Sequence, residues 1–491
     1  MTSSTINLSF SRHRSDPAQQ WISPLWYLCV VRMIKLLCGM FGVMYSADSR
    51  VTHLQLASYA VTIAVGTPPQ LFNVTLNTGI SDLWLVNTPN CTGCDPQIVD
   101  AEPFDPSKSS SYKIVATNAT EEGWTGTPSI MGTIGRDTAS IGNLSVDSQT
   151  FVAITNTSLW TVPLGSSGYL GLAFPQVGST NSTPFWQAVI NEGQLPQQEM
   201  GLWLAKPHNT TSSPANESHP ALGGVFTIGG TNTSFFTGDI EFHDAINTTA
   251  ETPFGSVPLN TWWNLEMTGK CLMLSIHVRL SVTRFGSALL VNGKSVNISS
   301  GGSAIAVIDS VNAWIAGPAD SVKQFWENVP GAEPFNVSGA SPMSITYRMR
   351  TFFALLVFVV FLRITLLFFM TACNTNVSAA ISFGGGKAWS INPADLLVSD
   401  VSTVNTSTPM CFGTVIDSRT IYSLPGTLQD IWTLGIPFLV RINPHDHLLR
   451  ESHDVAQRNV YSVYRANPQS VGFAQLSSAA GGPSMYVEFY K

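Results

Sequence analysis

The segment Phe72-Asn-Val-Thr-Leu-Asn77-Thr78-Gly79-Ile80-Ser-Asp-Leu-Trp84 decides how the chain is read. Apolar residues at 72, 74 and 76 alternate with polar ones, the period-two pattern of a half-buried strand. The run then breaks into a short polar turn before Leu83-Trp84 begins a second apolar segment. A weaker copy lies further along, where Ala304 to Ile308 runs into Asp309-Ser310-Val311-Asn312. Each loop is followed at a distance by a Leu-Gly pair, Tyr169-Leu-Gly171 after the first and Thr433-Leu-Gly435 after the second. Repetition of strand, polar loop and later Leu-Gly predicts two similar lobes.

The flanks carry the same pattern. Ala60-Val-Thr-Ile-Ala-Val65 alternates and meets the first segment across Gly66-Thr-Pro-Pro69, which predicts a hairpin. Further short strands are predicted at 150–153, 201–205, 225–228 and 471–475, whereas helical periodicity is confined to 183–192 and 319–327. The chain has 491 residues, enough for two lobes, with 44% hydrophobic and only 11% charged residues. The formal net charge is −7 and no block of Lys and Arg occurs, which excludes a nucleic-acid partner because phosphate binding needs clustered cations. His53, His208, His219 and His243 show no ligand spacing, so no metal site and no cofactor is expected. The Asn-x-Ser/Thr pattern occurs fourteen times beyond residue 50, from Asn73 to Asn405, more than Ser and Thr content alone produces, and reads as a secretory signal.

The chain resembles the pepsin-like aspartic peptidase family through ordered landmarks. They include Ile63-Ala-Val-Gly-Thr-Pro-Pro-Gln70, the segment 72–84, Phe104-Asp-Pro-Ser-Lys-Ser-Ser-Ser-Tyr112, Gly168-Tyr-Leu-Gly-Leu-Ala173, Thr227-Ile-Gly-Gly230, Trp262-Trp-Asn264, Ala306-Val-Ile-Asp309, Trp432-Thr-Leu-Gly435 and Val471-Gly-Phe-Ala474. The resemblance implies an all-β, bilobal acid protease fold, two β-barrel-like lobes around a cleft that binds an extended polypeptide or a peptide inhibitor. The N-terminal lobe would span 51–245 and the C-terminal lobe 246–491. The implied chemistry is hydrolysis by two adjacent carboxylates that share one proton, one activating water and the other polarising the scissile carbonyl.

The catalytic positions depart from the family. Asn77 stands where the first aspartate belongs; its amide has nearly the same shape but neither takes nor gives a proton in the working range. Ile80 replaces a hydroxyl residue beside it. Asp309 is kept, and Ser310 keeps the hydroxyl of the following threonine, but Val311 puts a branched Cβ where glycine permits a tight turn, so a distorted second loop is expected. Asn312 closes that loop. Thr125 falls where the flap tyrosine stands, with Trp124 beside it, so the flap's hydrogen bond to Trp84 is expected to be missing. Thr78, Gly79, Ile80, Trp84, Thr125, Ser310, Val311 and Asn312 are the expected substrate-binding positions, and Asn77 and Asp309 the catalytic ones. Asp82, Asp95 and Asp105 lie near in sequence at ordinary loop positions and offer no substitute carboxylate.

Three stretches, 271–287, 350–371 and 440–457, interrupt the resemblance, and removing them restores it, as translated introns would. Residues 352–370 are almost all apolar and long enough for a membrane span, with Arg363 near the middle. A span there would part Cys373 and Cys411 from Asp309, so none is expected; the alternative is membrane association through this segment. Of seven cysteines, Cys91/Cys94 and Cys373/Cys411 fall where the family has disulfides, and Cys29, Cys38 and Cys271 lie in unmatched text. Residues 1–50 read as a signal peptide begun at Met33 or as a misplaced start, with no pro-segment before Leu54. A secreted, glycosylated, monomeric homologue is expected, with its cleft kept and its hydrolysis lost. The alternatives are an active acid endopeptidase and a decayed gene without a stable product.

Overall fold

The computed structural model of the chain describes residues 47–480 apart from 56–57, 88–90, 93–102, 123–127, 158–164, 206–221, 247–248, 253–254, 259–261, 268–287, 299–303, 337–366, 401–408, 421–429 and 441–459. The chain divides into two units, Met1–Tyr45 and Ser46–Lys491; the first lies outside the described residues, and all that follows concerns the second.

The alternation read at 72–76 becomes a strand with Phe72, Val74 and Leu76 at most 2% exposed while Leu71 is 63% exposed. Around it the first half of the chain forms β1 (Ala47–Gln55), β2 (Ser58–Val65), β3 (Gln70–Asn77), β4 (Leu83–Val86), β5 (Lys113–Glu122), β6 (Pro128–Ile141), β7 (Leu144–Thr157), β8 (Gly168–Gly171), β9 (Glu199–Leu204), β10 (Leu222–Ile228) and β11 (Phe236–Asp244). The second half adds β12 (Thr249–Thr252), β13 (Gly255–Pro258), β14 (Asn264–Glu266), β15 (Leu289–Val291), β16 (Lys294–Ser295), β17 (Ile305–Ile308), β18 (Ile315–Gly317), β19 (Glu333–Asn336), β20 (Leu367–Ala372), β21 (Ala379–Ile381), β22 (Trp389–Ile391), β23 (Leu397–Asp400), β24 (Met410–Gly413), β25 (Val415–Asp417), β26 (Trp432–Leu434), β27 (Val460–Ala466) and β28 (Gln469–Leu476). Helices are few and short: α1 (Phe185–Asn191), α2 (Ala319–Glu327) and α3 (Ile436–Leu439). The chain is therefore all-β, as the short alternating runs require.

The internal repeat is visible in the pairing. β3 enters the first loop and β4 leaves it, with β8 between them, parallel to β3 (Leu76↔Leu170) and antiparallel to β4 (Trp84↔Tyr169). β17 enters the second loop and β18 leaves it, with β26 between them, parallel to β17 (Ile308↔Leu434) and antiparallel to β18 (Ile315↔Leu434). The two Leu-Gly motifs are thus the strands that hold each polar loop open at its base. Gly168 has no room for a side chain, because a Cβ would stand 1.8 Å from the Trp84 carbonyl oxygen.

A 13-stranded sheet in the order β11-β28-β27-β9-β10-β1-β2-β3-β8-β4-β7-β6-β5 joins first-half strands to the last two of the chain. A five-stranded sheet, β14-β17-β26-β18-β25, carries the second loop. One apolar core runs under both loops and includes Phe72, Leu76, Leu170, Trp263, Ile308, Trp432 and Phe473. Cys373 and Cys411 form the expected disulfide, with Cα atoms 4.8 Å apart. Cys91 is also disulfide-bonded, and Cys94 lies outside the described residues.

The interruption read at 350–371 is corrected at its end. Residues from Leu367 belong to β20, which pairs with β19 (Phe369↔Pro334) and β24 (Thr371↔Cys411), with Phe368 and Phe369 buried. The membrane-length reading of 352–370 therefore overlaps a sheet strand, and the rest of that segment lies outside the described residues, as do 271–287 and 441–457. Val440 is buried and donates its N–H to Ile436 O at 2.7 Å. Among the described residues no helix is long and apolar enough to cross a membrane.

Candidate functional site

Asn77 ends β3 and Asp309 follows β17, so the two loops bring their first residues together from the two repeats. A Cβ placed on Gly79 would lie 3.2 Å from Asn77 Oδ1 and 3.4 Å from Asp309 Oδ1, so both side chains converge on one point. Each is set by the backbone of its own loop. Gly79 N–H donates to Asn77 Oδ1 at 2.8 Å, and Val311 N–H donates to Asp309 Oδ1 at 3.0 Å. With its oxygen engaged, what the Asn77 amide offers is its NH₂, a donor.

The residues after them lock the loops to each other. Thr78 N–H donates to Ser310 Oγ (3.1 Å) and Ser310 N–H to Thr78 Oγ1 (2.9 Å). The hydroxyls then donate across, Thr78 Oγ1 to Ile308 O and Ser310 Oγ to Leu76 O, both at 2.9 Å. Thr78 is fully buried and Ser310 2% exposed, so these bonds work away from water, where an unmade one is costly. Serine supplies the hydroxyl this exchange needs, and the threonine methyl is dispensable for it.

Val311 does not take the left-handed backbone that would exclude a branched side chain. Among the described residues the non-glycine positions with positive φ are Asn181 and Asn292, so Val311 has an ordinary backbone conformation that a branched side chain adopts. Its N–H reaches Asp309 as that of Gly79 reaches Asn77. Asn312 accepts Trp314 N–H on Oδ1 (3.1 Å) and Ile436 N–H on its carbonyl (2.7 Å), which ties the second loop to α3.

Burial pushes the Asp309 carboxyl above the usual carboxylate range, and the N–H groups of Val311 and Asn312 pull back only partly. Burial also pushes the Tyr169 and Tyr464 phenols up, and the Asp309 charge pushes both further, so both rings stand within its field. Tyr169 packs edge-on against Trp84, ring centres 6.4 Å apart. Trp84 is buried, and its indole N–H has no hydrogen-bond partner among the described residues. Thr125 and Trp124 lie outside them. Ile80 is half-buried and brings no hydroxyl; its carbonyl accepts Ala173 N–H at 2.8 Å.

Sequence reasoning does not assign three contributors to the site, Trp262, Trp263 and Tyr169. Trp262 donates its indole N–H to Gly79 O at 3.0 Å across 183 positions, and Trp263 donates to Leu172 O at 3.0 Å. The adjacent Trp262-Trp263 pair is the available signal. Tyr169 is visible only as part of Gly168-Tyr-Leu-Gly171.

No other carboxylate is at hand among the described residues. Asp82 is buried and accepts Ser179 Oγ, Thr180 N–H and Thr180 Oγ1; Asp105 caps a short turn through Ser107. Asp95 lies outside the described residues. No group of three or more His, Cys, Asp or Glu that could hold a metal is found among the described residues. The arrangement offers one isolated carboxyl and one amide donor, able to hold both ends of a peptide unit but unable to share a proton.

Comparison with known proteins gives one family and consistent relatives. The eukaryotic aspartyl protease profile matches residues 58–443. Major aspartyl peptidase 1 of Cryptococcus neoformans var. grubii is 28% identical over 435 residues, covering 87% of this chain and 71% of that protein. Embryonic pepsinogen of Gallus gallus is 28% identical over 265 residues (54% of this chain, 56% of the relative), and cathepsin D of Gallus gallus 28% over 280 residues (57% and 58%). The chain spans a little over half the length of those two vertebrate relatives.

Proposed function

Because the chain belongs to the eukaryotic aspartyl protease family, we propose that it binds extended polypeptide in the cleft between two lobes, 51–245 and 246–491, and that it has lost hydrolysis. The observation that carries this is Asn77 facing Asp309 inside an intact interlocked frame. Hydrolysis by a carboxylate pair needs one member ionised to take a proton from water while the other donates to the carbonyl. Asp309 can fill one of these roles at a time, and the Asn77 amide can hydrogen-bond the carbonyl but can neither take a proton from water nor transfer one. Asp309 and the Asn77 NH₂ remain able to hydrogen-bond a substrate backbone, and Tyr169 and Trp84 supply an aromatic wall beside them.

The sequons and the disulfide support a secreted glycoprotein, and the acidic balance supports a monomer kept soluble by its charge. The unmatched stretches 271–287, 350–366 and 440–457 are proposed to be translated introns. A second reading, an active acid endopeptidase, is favoured by the intact loop frame and the raised Asp309 carboxyl, but it requires an acid at position 77.

The test is cleavage of an unfolded protein at about pH 3 to 5, with and without an inhibitor that mimics the tetrahedral intermediate. The unaltered chain is expected to bind the inhibitor without cleaving, and Asn77→Asp to raise the rate by about 10² to 10⁴. Inhibitable cleavage by the unaltered chain would refute the first reading and make the chain an enzyme despite Asn77. Loss of both binding and cleavage in the folded protein would refute the first.

A further inference from the structure

β5 is the outermost strand of the 13-stranded sheet and pairs only with β6 among the described residues. Among the described residues no strand pairs with its other edge, a template on which a second chain can add a strand. Its side chains do little to discourage this: Ile114 is 63% and Val115 50% exposed, and every residue from Lys113 to Asn118 is exposed. Register irregularities at Ile114/Ala116 and Ala116/Ala119 bend the strand but leave that run open. In an acidic chain with few charges this is the place where copies would meet.

The same run ends in Asn118-Ala-Thr120, an N-glycosylation acceptor pattern. Asn118 and Thr120 are exposed, whereas Ala119 between them is 5% exposed and packs with Trp84, Ile130 and Val152. Asn118 therefore projects away from the core, with open space for a large substituent. Asn73, in the paired interior strand β3, differs: its Oδ1 already accepts Thr62 Oγ1 at 2.9 Å.

We infer that Asn118 carries an N-linked oligosaccharide that covers the open edge of β5 and keeps copies of the chain apart. The linkage forms between Asn118 Nδ2 and the anomeric carbon of a lipid-pyrophosphate-linked oligosaccharide. The carbon–oxygen bond to pyrophosphate breaks with its electron pair, and Nδ2 loses one proton to the transferase. A bulky hydrated group at this edge blocks strand addition sterically, as charge or proline does at other edges.

This rests on the proposed secretory reading, and the experiment separates the two. The full chain is expressed in a eukaryotic secretory host, deglycosylated enzymatically in heavy-oxygen water and mapped by mass spectrometry. Its association state is measured by sedimentation. Asn118 is expected to be labelled, Thr120→Ala to remove that label and cause loss of the monomer boundary, and adding Val115→Lys to Thr120→Ala to restore the monomer. Unlabelled Asn118 beside labelled Asn143 or Asn181 overturns the inference and leaves the secretory reading standing. Labelled Asn118 with Thr120→Ala still monomeric and native by circular dichroism overturns the guarding role. A chain with no labelled sequon overturns the inference and the secretory reading together.

Discussion

Asp309 is a half-buried residue whose carboxyl is held within its own loop by backbone N–H groups, and it faces an amide. Its pKa is raised by burial, so the folded protein holds that proton more tightly than the unfolded chain does. Stability from this group is therefore greatest below the ordinary carboxylate pKa and is lost as pH rises through the raised folded value. Asp309→Asn removes this pH dependence: the variant is expected to match the parent in acid and to exceed it at neutral pH, by about 1.4 kcal/mol for every tenfold by which folding tightens the carboxyl's hold on its proton. Urea melts across pH read this directly, and parallel profiles for the two proteins would contradict it. Asn77→Asp works in the opposite direction, because a second carboxylate at the same point raises the shared pKa further. That variant is expected to gain activity in acid and to lose stability at neutral pH. At this scale the sequence is informative where a motif fixes position, as for Asn77, Thr78 and Ser310. It marks Trp262 as a landmark but not its partner Gly79, 183 residues away, because nothing local encodes that approach.

The paired loops behave as one element with two halves. Ser310→Ala removes the acceptor of Thr78 N–H and the donor to Leu76 O, leaving two buried backbone groups unmet. The expected loss is about 2 to 4 kcal/mol, with Ser310→Thr near neutral, measured by urea denaturation. Val311→Gly is expected to lower stability by about 0.5 to 1 kcal/mol without restoring activity, because the native φ is not left-handed and glycine only loosens the unfolded chain. Recovered cleavage in that single variant would show that the valine, and not Asn77, blocks chemistry. The sequence misleads at Val311 because a glycine position need not have a positive φ. Strands with alternation in their sequence, such as β3, are legible. β20 is not, since its Leu367–Ala372 run continues an apolar stretch of membrane length and only pairing with β19 and β24 separates it.

Across the whole molecule the halves are coupled in two places far apart in sequence. The loops interlock through Thr78 and Ser310, and β27 adds to β9 (Val463↔Gly201), so the last strands of the chain complete a sheet begun by the first. That sharing is invisible to a reading that divides the chain at residue 245, because strand alternation reports which face is buried and not which strand lies beside it. Coupling of this kind predicts that damage to one half is felt by both. The Cys373–Cys411 bond closes 38 residues in the second half, which by chain entropy contributes about 4 kcal/mol. Replacing both cysteines with serine is expected to shift a single unfolding transition to lower denaturant by up to that amount. Far-ultraviolet dichroism and tryptophan fluorescence are expected to move together, because unfolding the second half exposes the Thr78–Ser310 bonds and strips β27 from β9. Two separated transitions, with only the second displaced, would mean that the interlock and the shared sheet are too weak to join the halves. The cleft would then be a hinge between independently stable lobes.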